Sequence, residues 1–309
     1  MNQPPQIRLG TRRSPLAMAQ AEETRARLCA AHGWEEGAVE LVPVLASGDK
    51  VQDRPLAEIG GKALWTKELD AWLAEGRIDA SVHSMKDVET IRPDALAIGA
   101  ILPRADIRDV LVGAANLAEL PCGARIGTGA PRRAAQMLHA RPDCSVVSFR
   151  GNVATRLAKL EAGEADATLL AAAGLERLGM SDVGTPLDPQ DWLPAPAQGA
   201  IGVECRAEDA RTLALLAAID DAPSRARIEA ERALLLALGG TCHSPIAVLC
   251  ESEGDILRMR AALFSPAGTH RIEGEVRFAP GDMRAPALLA ADLLDCAPPA
   301  IAGHFTGAP

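Results

Sequence analysis

The chain has 309 residues, 48% of them hydrophobic, which is enough for two or three cores and too many for one. A formal charge of −9, with 3% aromatics and no tyrosine, argues against nucleic acid, which asks for basic surface and stacking rings. No apolar run approaches the ~18 residues of a membrane span, Met1-Asn2-Gln3-Pro4-Pro5-Gln6 has no export-signal character, and seven scattered cysteines without a C-x-x-C fit reduced thiols, so a soluble, cytoplasmic protein without a metal site is expected.

Ile7-Arg8-Leu9 reads as a short strand closed by Gly10-Thr11-Arg12-Arg13. Ser14-Pro15 then opens a helix to about Ala31, with serine suited to the N-cap and proline to the first helical position. Val39 to Ala46 is a second strand, followed by a polar loop, Ser47 to Gly61. The next helix carries Trp65, Leu69, Trp72 and Leu73 as one apolar stripe and ends at Gly76. Ile78, Ala80 and Val82 alternate with Asp79, Ser81 and His83, the period of a strand with one better-buried face. The alternation stops at Ser84, so Lys86 and Asp87 fall at the carboxyl end of that strand, where open α/β sheets bind ligands. Ala97 to Leu102 is a further strand, and Pro103-Arg104-Ala105-Asp106 has the look of a crossing between domains.

The pattern then recurs. Arg125-Ile126-Gly127-Thr128-Gly129-Ala130-Pro131 is again strand, glycine turn and helix-opening proline, and its helix begins with Arg132-Arg133. Val146 to Phe149 is a strand closed by Arg150-Gly151-Asn152. A helix with Val153, Leu157 and Leu160 on one face follows, and Gly163 to Leu170 is the next strand. The frame G-x-x-D-A-[ST] is shared by Gly76 to Ser81 and Gly163 to Thr168, which points to internal duplication. Pro194-Ala195-Pro196-Ala197-Gln198-Gly199 reads as the return linker. From Pro223 onward the character changes: a helix over 224–238, strands over 246–250, 257–264 and 271–278, and a helix over 284–294.

The expected fold class is therefore α/β. Two doubly wound lobes of the type II periplasmic-binding-protein kind share a hinged cleft, and a small α+β C-terminal domain follows. Lobe 1 takes 1–102 and 199–220, lobe 2 takes 106–195, and the third domain takes 222–309.

In this acidic chain the cations collect where strands end and helices begin: Arg12, Arg13, Lys86, Arg132, Arg133, Arg150 and Arg156. Helix N-termini add unpaired N–H groups there, and arginine suits bidentate capture of carboxylates or phosphates. A small polyanionic ligand is expected. Gly239-Gly240-Thr241-Cys242-His243-Ser244-Pro245 is a tight loop that exposes its thiol, whereas Cys29, Cys122, Cys144, Cys205, Cys250 and Cys296 read as small buried hydrophobes. Cys242 reads as a covalent attachment point. Its neighbour His243 leaves a cysteine hydrolase open as a rival, and the two-lobed plan leaves a solute-binding protein open, although neither accounts for both the thiol and the arginines.

Seven islands carry a family resemblance: Gly10 to Ala17, Gly60 to Leu69, Val82 to Asp87, Arg150 to Leu157, Ala173 to Gly179, Gln198 to Glu204 and Cys242 to Ile246. In these the sequence resembles the hydroxymethylbilane synthase, or porphobilinogen deaminase, family of tetrapyrrole synthesis. The resemblance implies a dipyrromethane cofactor held by Cys242 through a thioether, with four porphobilinogen molecules deaminated and joined head to tail before a linear product is hydrolysed off. It implies Asp87 as the catalytic carboxylate. It further implies Arg12, Ser14, Lys86, Thr128, Arg132, Arg133, Arg150, Arg156, Arg177 and Gln198 as cofactor and substrate contacts, with Lys62 and Trp65 at the mouth beside a lid over 47–61. A monomer acting on a small molecule is expected, with no nucleic-acid or membrane partner. Two positions depart from the family pattern: Gly129-Ala130 stand where two serines are usual, and Ser47 stands where an arginine precedes Gly48-Asp49.

Overall fold

The computed structural model describes residues 5–44, 66–241, 244–305 and 307. They fall into two compact units, one formed by residues up to 105 with 199–225, the other by 106–198 with 226–307.

In the first unit, β1 (Ile7–Arg12) leads into α1 (Pro15–His32), then β2 (Val39–Val44), α2 (Lys67–Ala74), β3 (Ala80–Ser84) and β4 (Leu96–Ile101). Ser14 caps α1 as expected: its hydroxyl oxygen accepts from Ala17 N at 3.3 Å, and Pro15 follows at the first turn. The expected α2 stripe holds for Leu69 and Leu73, which are fully buried with Val44 and Ile78.

The second unit opens with β5 (Asp109–Val112) and β6 (Arg125–Gly127), followed by α3 (Pro131–Ala140), β7 (Ser145–Val147), α4 (Val153–Glu161), β8 (Ala167–Ala171), α5 (Ala172–Arg177) and β9 (Thr185–Pro186). The chain then returns to the first unit as β10 (Ile201–Arg206) and α6 (Ala210–Ala217), and α7 (Ala222–Ala237) leads to β11 (Ile246–Glu253), β12 (Ile256–Phe264), β13 (Arg271–Phe278), α8 (Arg284–Cys296) and α9 (Pro299–Ala302).

The first sheet runs β2-β1-β3-β10-β4 and the second β7-β6-β8-β5-β9. In each, the first three strands are parallel, and a strand from beside a crossing, β10 or β5, enters antiparallel next to the third. Neither β5 nor β10 is marked as a strand by local sequence pattern. The shared G-x-x-D-A-[ST] frame has a structural counterpart. Asp79 Oδ2 accepts from Arg8 N at 2.8 Å, Asp166 Oδ2 accepts from Arg125 N at 2.7 Å, and each carboxylate also ion-pairs with the same arginine's side chain. The equivalent aspartate thus locks β3 to β1 in one sheet and β8 to β6 in the other, at the edge opposite the carboxyl ends.

One expectation about β3 is corrected. Ser81 and His83 are as buried as Ala80 and Val82, because both faces of β3 are covered: Ala80 and Val82 pack with Ala21 and Leu28 of α1, and Ser81 and His83 lie in a buried polar group with Glu204. Burial of the six cysteines outside the 242 loop is also corrected. Cys144, Cys205 and Cys250 are buried, but Cys122 lies exposed before β6, Cys296 lies exposed at the end of α8, and Cys29 is half-exposed.

The third sheet, β11-β12-β13, is antiparallel throughout. One face packs against α7 and α8 through Leu234, Leu238, Val248, Met259, Leu263, Leu289 and Leu293. On the other, Ala247, Leu249, Ala262 and Phe264 share a cluster with Ala135 of α3 and Leu193. Shared core of this kind is why sheets two and three fall in one compact unit.

Candidate functional site

In doubly wound sheets the parallel strands end at one edge, and ligands are met there. In the first unit that edge carries Arg12 at the end of β1, Ser14 at the cap of α1, and Lys86 and Asp87 after β3. Thr11, fully buried, donates its hydroxyl to Ala17 O at 3.0 Å and fixes the step from strand to helix. Ser14 keeps its hydroxyl proton as a donor while its oxygen serves the cap.

Met85-Lys86-Asp87 form a single 3₁₀ turn directly after β3. Both sides of the turn are tied down. Gln20, buried in α1, donates Nε2 to Ser84 Oγ at 2.7 Å, and Met85 N donates to Ala200 O at 3.0 Å. Gly202 of β10 makes room for Met85, since a Cβ there would stand 2.1 Å from its Sδ. Lys86 and Asp87 are half-exposed on this fixed turn, and the Asp87 carboxylate has no hydrogen-bond partner among the described residues.

Behind the turn lies a buried polar network. His83 Nε2 sits 2.8 Å from Ser81 Oγ and 3.2 Å from Glu204 Oε2 of β10. Arg92 reaches Glu204, Glu89 and Asp70 at 2.9, 2.8 and 2.6 Å. Thr66, fully buried, donates to Glu89 Oε2 at 3.0 Å. Burial, aided by the Arg92 guanidinium, pushes the His83 pKa down to about 4, so the ring is neutral near pH 7. Burial likewise raises the Asp70 carboxyl, against Arg92, which lowers it. Sequence reading misses this network because its partners come from four separated segments. The polar residues Ser81 and His83 inside a strand are the one local sign of it.

In the second unit the corresponding edge carries Thr128 after β6, Arg132 and Arg133 in the first turn of α3, Arg150 after β7, and Arg156 on α4. Thr128 is buried and its Oγ1 accepts from Ala130 N at 3.1 Å, which braces the turn where Gly129-Ala130 stand. Asn152 caps α4 by accepting from Thr155 N, and Arg156 Nε donates to Gly151 O at 3.1 Å. Arg150, Arg156 and Arg177 are half-exposed.

Arg132 and Arg133 lie deeper than a surface cation should, at 5% and 4% exposure, and both meet Asp109, which is fully buried in β5. Asp109 pairs with Arg132 Nη1 at 2.8 Å and with Arg133 Nη2 at 2.7 Å. It also accepts from Trp192 Nε1 at 2.8 Å and Gln198 Nε2 at 2.9 Å. Gln198 further donates to Ile107 O at 2.8 Å, so it staples the return linker to the outgoing one. Burial alone would raise the Asp109 carboxyl, but the two guanidinium groups outweigh it and hold it well below the usual carboxylate range. Asp109 escapes sequence reading because its strand was not recognisable.

Cys242, Lys62, Trp65 and the 47–61 loop lie outside the described residues. Among the described residues no group of three or more metal-ligating side chains could hold an ion, and no helix is long and apolar enough to cross a membrane.

Each of the two doubly wound α/β sheets thus carries cations at the carboxyl ends of its parallel strands, the first also carries a carboxylate without a hydrogen-bond partner among the described residues, and a small antiparallel α+β piece follows. Residues 7–214 match the family model described as "Porphobilinogen deaminase, dipyromethane cofactor binding domain", and 225–295 match "Porphobilinogen deaminase, C-terminal domain". The chain belongs to the porphobilinogen deaminase family. It is 57% identical over 305 residues to the porphobilinogen deaminase of Sphingopyxis alaskensis, covering 97% of this chain and 96% of that one. To the porphobilinogen deaminase of Paracoccus denitrificans it is 54% identical over 272 residues, covering 87% of each. Among solved structures, a Bordetella pertussis BvgS VFT2 domain is 15% identical, covers 69% of this chain and 85% of its own, and has a TM-score of 0.40; that similarity is too distant to add to the assignment.

Proposed function

We propose that the chain is a hydroxymethylbilane synthase, which deaminates four porphobilinogen molecules, joins them head to tail and releases the linear product by hydrolysis. The observation that carries this reading is the turn after β3, where a half-exposed aspartate without a hydrogen-bond partner among the described residues follows a lysine. Each porphobilinogen brings an acetate, a propionate and a pyrrole N–H. Cations suit the first two and a carboxylate suits the third.

Asp87 is assigned the chemistry. Loss of ammonia from the substrate's aminomethyl arm leaves a cation delocalised over the pyrrole, and the attacking carbon must afterwards shed a proton. A carboxylate held against pyrrole N–H groups stabilises that charge and accepts or returns protons, contributions of roughly 10²–10⁴ for the proton transfer alone. Lys86 holds a side-chain carboxylate beside it. Arg12 and Ser14 serve the same edge of the first unit, while Thr128, Arg132, Arg133, Arg150, Arg156 and Arg177 serve the second, with Gln198 setting the linker.

The donor set suits the dipyrromethane cofactor of the family, because two guanidinium groups against one buried carboxylate leave an excess positive charge at the second unit's ligand edge. When bound, through Cys242 in this reading, that group supplies the nucleophilic carbon to which the first substrate is joined. Lys62 and Trp65 are assigned to the mouth of the site. We take the enzyme to act as a cytoplasmic monomer.

The test is product stoichiometry. Purified protein given porphobilinogen should release one ammonia for each molecule consumed and yield a linear tetrapyrrole that acid and air convert to porphyrin. Consumption without ammonia, or ammonia without porphyrin, would contradict the reading.

A further inference from the structure

Two arginines adjacent in sequence are held in different ways by one carboxylate. Arg133 is used on every nitrogen: Nε and Nη2 donate to Asp109 Oδ1 at 3.2 and 2.7 Å, and Nη1 donates to Leu169 O at 2.8 Å. Arg132 engages through Nη1 alone, 2.8 Å from Asp109 Oδ2 and 3.0 Å from Leu193 O, and its Nε and Nη2 have no acceptor among the described residues. A guanidinium carries five N–H donors in a fixed fork. Two of the five donors are therefore pinned, and the three on Nε and Nη2 are left for an acid.

The charges point the same way. Among the described residues Asp109 is the one carboxylate on either guanidinium, so this buried cluster carries a net charge of +1. Buried charges are costly unless paired, and a second carboxylate would balance the cluster. The neutral donors from Trp192 and Gln198 complete the acceptor capacity of Asp109 and leave it little freedom to turn. Gly127 adds rigidity: a Cβ there would stand 2.4 Å from the Phe149 ring, so β6 and the segment after β7 are in close contact directly below this edge.

We propose that Asp109 is a positioning residue that presents the outer edge of Arg132 to a pyrrole side-chain carboxylate, with Arg133 as the strut that keeps Asp109 in place. This rests on the family reading above and deepens it. The two arginines have different jobs: Arg132 meets the ligand, and Arg133 acts through Asp109. Trp192 sets the height of the carboxylate, and Gln198 ties that same carboxylate to the linker.

The experiment compares wild type, Asp109→Asn, Asp109→Glu, Arg132→Ala and the Asp109→Asn/Arg132→Ala double variant. Three readouts are taken: thermal melting, the fraction of chain carrying the two-pyrrole mass by intact mass spectrometry, and KM and kcat for porphobilinogen. Asp109→Asn is expected to lower the loaded fraction at least tenfold. Asp109→Glu should regain loading to within threefold of wild type, with a raised KM and a kcat within twofold. The double variant should load no worse than Arg132→Ala alone, because the aspartate acts through that arginine. If Asp109→Asn does not fold, Asp109→Glu decides: a wild-type KM in a fully folded Glu variant overturns the proposal. Loading losses that multiply in the double variant, or a folded Asp109→Asn that loads normally, overturn it as well. A wild-type chain with no added mass would instead overturn the family reading, and this inference with it.

Discussion

His83 Nε2 lies 3.2 Å from Glu204 Oε2 across the antiparallel pair β3–β10, and both side chains are buried. A histidine this close to a carboxylate would ordinarily hold its proton. Burial outweighs that, and Arg92 at 2.9 Å already balances Glu204. The unfolded chain therefore takes up a proton near pH 6.5, while the folded chain does so only near 4. Stability contributed by the neutral ring is complete above the higher value and is lost as pH falls towards the lower one. Asp70, Glu89, Arg92 and Arg12 also act on the ring and are common to any pair of variants compared.

His83→Gln should flatten this dependence. Between pH 7.5 and 4.5 the wild type is expected to lose on the order of 2–3 kcal/mol more than the variant, measured by urea unfolding at each pH. Parallel losses in the two proteins would show that the ring does not titrate in this window.

Arg92 ion-pairs with Asp70, Glu89 and Glu204, and Glu204 is fully buried. Arg92→Met should cost about 3–5 kcal/mol by leaving that carboxylate uncompensated. Adding Glu204→Gln should recover part of it. A melting temperature for Arg92→Met equal to wild type would contradict the network.

Asp87 stands half-exposed and has no bonding partner among the described residues, so its removal should be structurally mild. Asp87→Asn is expected to melt within about 1 kcal/mol of wild type and to lose at least 100-fold in turnover. A near-normal kcat would take Asp87 out of the mechanism.

Gly202 lets β10 pass against Met85 at the foot of the Lys86–Asp87 turn. Gly202→Ala should cost about 1–3 kcal/mol through overpacking and should lower kcat by displacing the turn. Gly37→Ala, where an added Cβ meets nothing within 4 Å, is the control and should change neither. Equal behaviour of the two variants in melting and turnover would argue against a packed, positioned turn.

Much of this architecture could be read locally. Ser14-Pro15 announces α1, Leu69 and Leu73 announce the buried side of α2, and the repeated G-x-x-D-A-[ST] frame works as the same aspartate–arginine lock in both sheets. The turn bearing Lys86 and Asp87 also falls where the end of the apolar alternation puts it. What escaped is what depends on distant chain. β5 and β10 are strands because a sheet recruits them antiparallel from beside the crossings, and no local period records that. The arginines at the strand–helix junctions were legible as cations, but the division between Arg132 and Arg133 was not, since it is made by a carboxylate more than twenty residues upstream. His83 and Glu204 likewise become partners only when β10 is laid beside β3.

The central claim is that this chain builds its product on a pyrrole tether attached at Cys242. Protein as purified should turn colour with acidic p-dimethylaminobenzaldehyde, show an intact mass above that of the bare chain, and yield on digestion a Cys242 peptide bearing the whole excess, all absent from Cys242→Ser. A colourless wild type at the mass of the unmodified chain, or an adduct that maps to another cysteine, would contradict it.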